Sequence, residues 1–568
     1  MAQLQTISSR VLRERYLAAG EHDIEDVQAR VARAVASVEA GPLAPLWQRR
    51  FLRAMERGLI PGGRINASAG LQPPANLVNC FVQPLGIPAR GRDRGRALTL
   101  TQAIEEARLT MAAGGGVGYD LGEVPAGDAL AALERLDQAC SPIRSGHIRG
   151  CAQMGLLAID HPRIRDFITL KERLPLASFN LSVAVDDRFL IRLRTALESG
   201  RTTGEDPHDE RAIWYLLLQA MLARSEPGVV FIDRVNRDNN LASLEQIRAC
   251  NPCAEQYLPP YGGCNLASIN LTRFVAAPFT DHAWFQWPAF EQVVAVAVRF
   301  LDNVLTLNRW PLPQQEQQAR LRRRVGLGFT GLADALCMLG LRYDCEQGRL
   351  VAATIVRRLR DRAYESSVEL AIERGPFPSF DAQGYLRSPS FASRLPETLR
   401  RRIRLRGIRN SHLLCIAPTG SISIAFADNC STGIEPAFRA HYRRWLRAAD
   451  GSRSAVDAEN HAARRWRASC ATSDTLPPAW RDCGSIEPID QLRMVGAVQD
   501  FIDSGISKTV QLAPGFTTAQ LETLAWYAWR RGLKGFAVFR DCSAPQRVLQ
   551  PISDTQSAAP EPAPAPKG

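Results

Sequence analysis

The stretch ACNPCAEQYLPPYGGCNLASINL, residues 249–271, holds three of the 13 cysteines of this 568-residue chain. Because a residue before proline is pushed out of the helical region, Pro252 predicts an extended segment over residues 251–255. Side chains alternate along an extended segment, so Asn251, Cys253 and Glu255 are expected on one face. An amide, a thiol and a carboxylate would then stand together, a set suited to substrate positioning, sulfur chemistry and proton transfer.

Three other interpretations of these cysteines stay open on the pattern alone. Cys250 and Cys253 have C-x-x-C spacing, but a zinc site needs four ligands and Cys264 supplies only a third, so no metal is expected. A thioredoxin-type pair should open a helix after a strand, whereas this pair runs into YLPPYGG. The remaining interpretation is that all three are small buried hydrophobic residues.

Composition indicates an ordinary soluble globular protein, with 45% hydrophobic and 23% charged residues. The first twenty residues contain no apolar signal segment, and no apolar run could span a membrane. A cytoplasmic location with reduced thiols is therefore predicted. The net charge of +12 suits an anionic small molecule. Nucleic acid is not predicted as a partner, because the basic stretches lack aromatic residues at stacking spacing.

The chain divides into three zones. Residues 1–60 are predicted to be helical, with a helical apolar stripe at Ile24, Val27, Val31, Ala34 and Val35. Residues 61–545 form one zone without a break in composition, in which apolar runs alternate with amphipathic helices such as residues 350–372. The runs NCFVQPL, FNLSVAV, GVVFID and GFAVF are predicted strands, so the fold class is α/β. Residues 546–568 form a Pro/Ala-rich tail that is predicted to be disordered.

Two glycine-containing segments could hold a ligand. In APTGSIS, residues 417–423, hydroxyls and unhindered amides precede an apolar run, as at a helix N-terminus that binds phosphate; an ordinary N-cap is the alternative. In GGGVGYD, residues 114–120, consecutive glycines allow close approach of the backbone to a ligand or to another strand.

Taken together, these segments resemble the catalytic chain of ribonucleotide reductases. Matching motifs follow the family's order over about residues 60–545: NCFVQPL, GGGVGYD, CAQMGLLAIDHPRIRDFI, FNLSVAV, PGVVFIDRVNRDN, NPCAEQYLPPYGGCNLASINL, RRVGLGFTGLADAL, IAPTGSIS, STGIEPAF, SKTV and GLKGFAVFRDCS. Several motifs in register are more specific than any single one. The resemblance implies a ten-stranded α/β barrel with a finger loop inside it, preceded by the helical N-terminal region.

The resemblance also implies the roles of individual residues. Cys253 would carry a thiyl radical that takes the 3′-hydrogen of a ribonucleotide, Glu255 would act as general base on the 3′-hydroxyl, and Asn251 would hydrogen-bond the substrate. Cys80 and Cys264 would supply two electrons and end as a disulfide. Lys171 would begin a loop, residues 171–180, that links an effector to the substrate. The implied substrate-binding residues are Asn79, Gly115, Pro418, Thr419, Gly420, Ser421 and Ile422.

The radical generator is indicated by residues 532–543, GLKGFAVFRDCS. The iron-dependent class has a tyrosine pair in this region, whereas this chain has Phe536 and Phe539. The sequence of this motif resembles that of the adenosylcobalamin-dependent class, so adenosylcobalamin is the expected cofactor. The large subunit of an iron-dependent enzyme and a non-catalytic nucleotide-binding homologue are the alternatives.

The expected partners follow from the same resemblance. The substrate would be a ribonucleotide, with diphosphates favoured, and the family also allows a nucleotide effector and a homodimer. Many relatives carry a cysteine pair on a C-terminal tail, whereas the last cysteine here is Cys542. Because thiol–disulfide exchange needs direct attack on a sulfur, reducing equivalents are expected in trans, from a dithiol or from a separate cysteine-bearing chain.

Overall fold

A computed structural model describes residues 4–86, 98–144, 151–198, 209–447, 452–469, 475–540 and 549–551. Strands and helices alternate through most of this length. The strands are β1 (Leu59–Pro61), β2 (Cys80–Val82), β3 (Gly116–Asp120), β4 (Gln153–Ala158), β5 (Phe179–Val185), β6 (Gly228–Phe231), β7 (Ala249–Cys250), β8 (Tyr257–Leu258), β9 (Gly263–Cys264), β10 (Leu266–Asn270), β11 (Val275–Ala276), β12 (Trp284–Phe285), β13 (Gly326–Thr330), β14 (His441–Arg447), β15 (Arg453–Glu459), β16 (Thr509–Leu512), β17 (Gly535–Arg540) and β18 (Leu549–Pro551).

The helices lie between these strands and before them. They are α1 (Thr6–Arg15), α2 (Ile24–Ala36), α3 (Ala44–Glu56), α4 (Gly63–Ser68), α5 (Leu100–Ala112), α6 (Ala129–Arg144), α7 (Ile164–Ile168), α8 (Leu170–Arg173), α9 (Asp187–Glu198), α10 (Glu210–Arg224), α11 (Ile232–Asp238), α12 (Trp287–Leu307), α13 (Pro313–Arg322), α14 (Leu332–Met338), α15 (Glu346–Arg374), α16 (Ala382–Tyr385), α17 (Glu397–Arg406), α18 (Gly420–Phe426), α19 (His461–Ser469), α20 (Pro488–Gln499) and α21 (Thr518–Arg530). Within the described residues, no helix combines the length and the apolar character needed to cross a membrane.

The largest sheet has eight strands in the order β16-β17-β6-β5-β4-β3-β2-β9. Strands β2 to β6 run parallel, and a helix or helix pair lies between each and the next along the chain. Such crossovers cover the faces of a parallel sheet, which explains why β4, β5 and β6 are almost wholly apolar and buried. The predicted α/β class and the four predicted strands, which are β2, β5, β6 and β17, are confirmed.

A second sheet has the order β1-β10-β13, with β10 and β13 parallel. Beyond β13, this sheet continues through single parallel bridges, from Leu327 to Leu414 and from Ile416 to Ile506. Ile506 lies three residues before β16, which is an edge strand of the large sheet, and β9 at the other edge is followed directly by β10. The two sheets are thus linked along the chain at both ends.

The N-terminal helices pack onto the same core as the sheets. Asp23 caps α2 by accepting a hydrogen bond from the amide of Asp26 at 3.0 Å. Val27, Val31 and Val35 are fully buried on one face of α2, which confirms the helical stripe predicted from the sequence. They belong to one hydrophobic core with residues of α12 and α15. The prediction that residues 1–60 form a separate zone remains a prediction.

The short strand β18 corrects the predicted tail at three residues. Residues 549–551 pair with β14, inside the segment 546–568 that was expected to be disordered. Leu549 packs against the hydrophobic cluster that contains Tyr442 and Leu446, and this contact offsets part of the entropy cost of ordering. The other residues of the predicted tail lie outside the described residues.

Strands β7 and β8 form a hairpin whose tip is residues 251–256. The hairpin packs closely against β3, because a Cβ atom on Gly118 would lie 1.8 Å from the carbonyl oxygen of Cys250. On its other side, the amide of Gly505 donates a hydrogen bond to the carbonyl of Glu255 at 2.8 Å. Only a residue without a side chain fits at position 118, so this glycine fixes how deeply the hairpin sits.

The predicted extended conformation of residues 251–255 is wrong. The amide of Ala254 donates to the carbonyl of Asn251 at 3.0 Å, which closes a β-turn, and Ala254 is left-handed with φ of 58°. Asn and Pro are favoured at the first and second positions of such a turn. The restriction that Pro252 imposes acts on Asn251 alone, so it could not determine the path of the residues that follow.

We predict that Gly118→Ala displaces the hairpin and destabilises the protein by more than about 2 kcal/mol, since the new methyl group must overlap backbone atoms. Gly127→Ala is the matched control, because Gly127 has open space around its Cβ position. Chemical unfolding of both variants measures the difference. Equal stability of the two variants would contradict this account of the hairpin.

Candidate active site

The tip of the hairpin faces a cavity of about 490 Å³, a volume typical of small-ligand sites. Its wall is formed by α1, β2, β3, β10, α18 and β14 together with the hairpin tip. Residues predicted from widely separated motifs line this one cavity: Asn79, Cys80, Gly115, Cys253, Glu255, Pro418, Thr419, Gly420, Ser421 and Ile422.

Three predicted residues do not line the cavity. Asn251 and Cys264 are buried and form no part of its wall. Lys171 lies in α8, where its ammonium group pairs with Glu226 at 2.5 Å and donates to the carbonyl of Phe179. The predicted loop reaches the hairpin at its other end, since Asn180 Nδ2 donates to the carbonyl of Pro252 at 3.0 Å.

Cys253 and Glu255 lie on the tip in very different environments. The Cys253 thiol is exposed to the cavity, whereas Glu255 is 2% exposed. Burial raises the pKa of Glu255 to about 7, because a carboxylate is poorly solvated there; a hydrogen bond from its own backbone amide lowers this pKa in part. A carboxyl group with this pKa can both accept and release a proton near neutral pH.

Asn251 holds the turn together from inside. Its Oδ1 atom accepts a hydrogen bond from the amide of Gln256 at 3.0 Å. Its Nδ2 atom and Glu255 Oε2 are buried and make no hydrogen bond with the described residues. Since buried polar groups are almost always paired, the Oε2 atom of Glu255, which lines the cavity, is suited to a polar ligand.

Cys80 and Cys264 are direct partners in the register of β2 and β9. Side chains on directly opposed residues of an antiparallel pair are near neighbours, which is the arrangement that a reversible disulfide needs. Burial raises the pKa of the Cys264 thiol well above its usual range, and the adjacent Cys80 raises it further. Cys250, in contrast, packs in an apolar cluster with Met154, as expected for a structural thiol.

The segment 417–423 begins α18 at the cavity, but Thr419 does not cap that helix. Its backbone is left-handed, with φ of 51°, and its side chain makes no capping hydrogen bond. Thr419 Oγ1 instead accepts from the amide of Gly433 at 2.9 Å and bonds the Thr330 hydroxyl at 2.9 Å. The first amides of an α-helix have no partner within the helix, so the start of α18 presents donors toward the cavity side.

Sequence reasoning missed several residues at the cavity. Arg15 of α1 and Arg444 of β14 line it, and a hydrogen bond of 2.7 Å between the hydroxyls of Tyr16 and Ser421 fixes α1 to α18. These positions are hundreds of residues apart, so no local pattern could reveal them. Cys151 also lines the cavity, and it is the first residue of the motif CAQMGLLAIDHPRIRDFI.

These features define an α/β enzyme with a thiol-based site. Residues 78–210 and 195–539 match the family described as ribonucleotide reductase, barrel domain. The chain is 33% identical to a vitamin B12-dependent ribonucleoside-diphosphate reductase of Mycobacterium tuberculosis (strain CDC 1551 / Oshkosh), over 97% of this chain and 80% of the relative. The chain therefore belongs to the ribonucleotide reductase family.

More distant relatives carry similar names. A vitamin B12-dependent ribonucleoside-diphosphate reductase of Thermoplasma acidophilum is 28% identical, over 83% of this chain and 62% of the relative. A ribonucleoside-diphosphate reductase large subunit of Plasmodium falciparum (isolate Dd2) is 25% identical, over 61% of this chain and 46% of the relative.

The pKa of Glu255 leads to a prediction that needs no ligand. Its folded-state pKa of about 7 lies above the ordinary value of 4.5, so the folded chain binds more protons between these pH values and loses stability as the pH rises through them. Gln is neutral throughout. We therefore expect Glu255→Gln to change stability little at pH 5 and to raise the free energy of unfolding by about 3 kcal/mol at pH 8.

Melting temperatures of the ligand-free chain across this pH range test the prediction. Glu172→Gln is the control, because Glu172 is exposed in α8 and its replacement should change little at either pH. A pH-independent difference between wild type and Glu255→Gln would show that folding does not raise the pKa of Glu255.

Proposed function

We propose that this chain reduces ribonucleotides, with diphosphates as the expected substrates, to 2′-deoxyribonucleotides by thiyl-radical chemistry with adenosylcobalamin as radical generator. One observation carries the proposal: an exposed thiol, a buried carboxyl group and one member of a cysteine pair open onto a single cavity with the start of α18. The printed names of the relatives support the substrate class and the cofactor.

The strand pairings support a ten-stranded barrel. From β16 the pairings pass through the large sheet to β9, which continues into β10; from β10 they pass to β13, to residues 414–416, to Ile506 and back to β16. Counting β9 with β10 and Ile506 with β16 gives the ten strands expected from the family. In this proposal residues 61–545 are the barrel domain and the β7–β8 hairpin is the finger loop. Strand β3 and Gly505 hold the catalytic tip of the hairpin inside the barrel.

The proposed reaction assigns a step to each of three residues of the hairpin tip. Cys253 Sγ, exposed at the hairpin tip, takes the 3′-hydrogen of the ribose. Glu255 accepts the proton of the 3′-hydroxyl, for which its raised pKa is suited. Asn251 Nδ2 makes no hydrogen bond with the described residues, and its assigned hydrogen bond to the substrate requires a movement of the tip, because Asn251 does not line the cavity. The 2′-hydroxyl leaves as water.

Cys80 and Cys264 provide the electrons. They give up two hydrogens to the substrate and end joined by a disulfide across β2 and β9, which their register allows. The substrate phosphates bind at Pro418–Ile422, where the amides that begin α18 meet the cavity. Arg15 and Arg444 add positive charge to the same wall.

The site is compatible with adenosylcobalamin as the radical generator. Because Cys253 is exposed while Cys250 and Cys264 are buried, it is the thiol of this group that a second bound molecule can reach. When bound, adenosylcobalamin supplies a carbon-centred radical by homolysis of its cobalt–carbon bond. Cavity-lining apolar side chains, those of Val11, Ile143 and Leu446, would hold its adenosyl group. In β17, Phe536 and Phe539 lack the hydroxyl proton that a radical-relaying tyrosine needs.

Regulation and partners complete the proposal. Asn180 binds the carbonyl of Pro252, so a nucleotide effector that moves the loop 171–180 would act on the residue next to Cys253. Reducing equivalents arrive in trans from a dithiol. A homodimer and a cytoplasmic location are in keeping with the family and remain predictions.

The radical role of Cys253 is tested with Cys253→Ser. We expect deoxynucleotide formation with adenosylcobalamin as sole metallocofactor to fall to background, while nucleotide affinity stays within about twofold, since a hydroxyl cannot form the required radical yet keeps the shape of the site. Cys345→Ser is the control, because Cys345 only caps α15 and lies outside the cavity wall. Measurable product from Cys253→Ser would refute the assignment.

The reductant pair is tested with Cys80→Ser and Cys264→Ser. Each variant should retain cobalt–carbon homolysis, followed as a change in cobalamin absorbance, and should lose multiple turnover because only one of the two thiols remains. Product is measured with excess dithiol. Multiple turnover at the wild-type rate in either variant would place the pair elsewhere.

A further inference from the structure

A second cysteine pair lies beside the cavity. Cys140 of α6 and Cys151, which comes just before β4, form a disulfide with Cα atoms 6.2 Å apart. Cys140 is fully buried, whereas Cys151 is partly exposed and lines the cavity with Cys80 and Cys253. One sulfur of this pair is thus accessible and the other is protected behind it, the division found in thiol-exchange pairs.

Gly116 shows how near this pair is to the catalytic thiols. Strand β3 lies between β2 and β4, so Gly116 separates the start of β2 from the start of β4. A Cβ atom on Gly116 would lie 3.3 Å from Cys80 Sγ, 3.2 Å from the carbonyl oxygen of Ala152 and 3.1 Å from Pro252 Cγ. Ala152, which follows Cys151, and Pro252, which precedes Cys253, therefore both lie close to Cys80 around Gly116, which carries no side chain.

We propose that Cys140 and Cys151, the outer pair, are redox-active and pass electrons to Cys80 and Cys264, the inner pair. This inference rests on the proposed function, because it assumes that turnover oxidises the inner pair. The outer pair is then the port through which an external dithiol reduces the enzyme. Cys151 is the sulfur that both the external dithiol and Cys80 would meet.

The exchange balances in two steps. The Cys151 thiolate attacks Cys80 Sγ; the Cys80–Cys264 bond breaks, and Cys264 leaves as a thiolate that takes up a proton. The Cys140 thiolate then attacks Cys151 Sγ; the Cys140–Cys151 bond forms, and Cys80 leaves as a thiolate that is protonated. Two electrons pass from the outer pair to the inner pair, and an external dithiol reduces the outer disulfide by the same exchange, itself becoming a disulfide.

Burial explains why such a port is useful. Cys264 is 1% exposed, and its partner Cys80 lies in the cavity that the substrate must occupy. A folded reductant cannot bring a thiolate to these sulfurs without entering that cavity, since exchange proceeds by direct attack. Cys151 lines the same cavity and is partly exposed, so it offers the external thiol a sulfur outside the Cys80–Cys264 pair.

The decisive experiment counts products from enzyme that is fully reduced and then freed of reductant. With adenosylcobalamin and excess ribonucleotide, each chain should form about two deoxynucleotides if both pairs deliver electrons, because each dithiol carries two electrons. Cys140→Ser and Cys151→Ser should each form about one. Cys345→Ser, a cysteine outside the cavity wall, should form as many as wild type.

Alkylation mapping by mass spectrometry, done after the reduced wild-type enzyme has used its electrons in this burst of turnover, follows the oxidation of the outer pair directly. This measurement does not depend on whether the variants fold. The proposal expects Cys140 and Cys151 to become a disulfide during turnover. The proposal would be overturned by about one product per chain together with alkylation of both Cys140 and Cys151, since alkylation would mean that both thiols had stayed reduced.

A titration without cofactor or substrate separates this inference from the proposed function. Reduced protein is equilibrated in dithiol buffers of increasing potential and mapped at each step. The outer disulfide should form at lower potential than the inner one, since electrons must flow inward. Formation of the inner disulfide first would overturn the relay, whereas absence of any product in the burst would count against the proposed function instead.

Discussion

The position of the hairpin against β3 is the constraint on which the site depends. The carbonyl of Cys250 occupies the space that a side chain at position 118 would fill, and Gly505 binds the backbone of Glu255 from the opposite side. Two of the contacts that locate the tip are thus made by backbone atoms. Such contacts leave little freedom for adjustment, because backbone atoms cannot move as a flexible side chain can. This fit therefore sets the positions of Cys253 and Glu255.

The same enclosure sets the chemistry of the groups on the tip. Removing water raises the pKa of Glu255 and that of the Cys264 thiol, so both favour their neutral forms in the folded chain. The Asn251 amide nitrogen and one Glu255 carboxyl oxygen make no hydrogen bond with the described part of the chain. These groups cost stability in the absence of ligand, a cost that the proposed function explains, since in it these groups bind the substrate and react with it.

Sequence patterns were sufficient for four of the strands and for ten of the residues that line the cavity. Buried apolar runs such as those of β5 and β6 are recognisable because a covered parallel strand needs apolar side chains on both faces. The motifs containing Cys80, Cys253 and Thr419 do converge on one cavity. The bend at residues 251–255 was missed, since Asn-Pro is compatible with both an extended segment and a turn. Arg15 was also missed, because only tertiary packing brings α1 to α18.

The contact between Tyr16 and Ser421 also bears on the order in which the chain can fold. The two residues are 405 positions apart, so α1 leaves the ribosome long before its partner helix exists. Its apolar residues Ile7, Val11 and Leu12 have no docking surface until α18 and β14 have been made. Large proteins expose such unpartnered surfaces during synthesis, and chaperones commonly cover them. The wall of the cavity is therefore completed late, by a segment that was synthesised first.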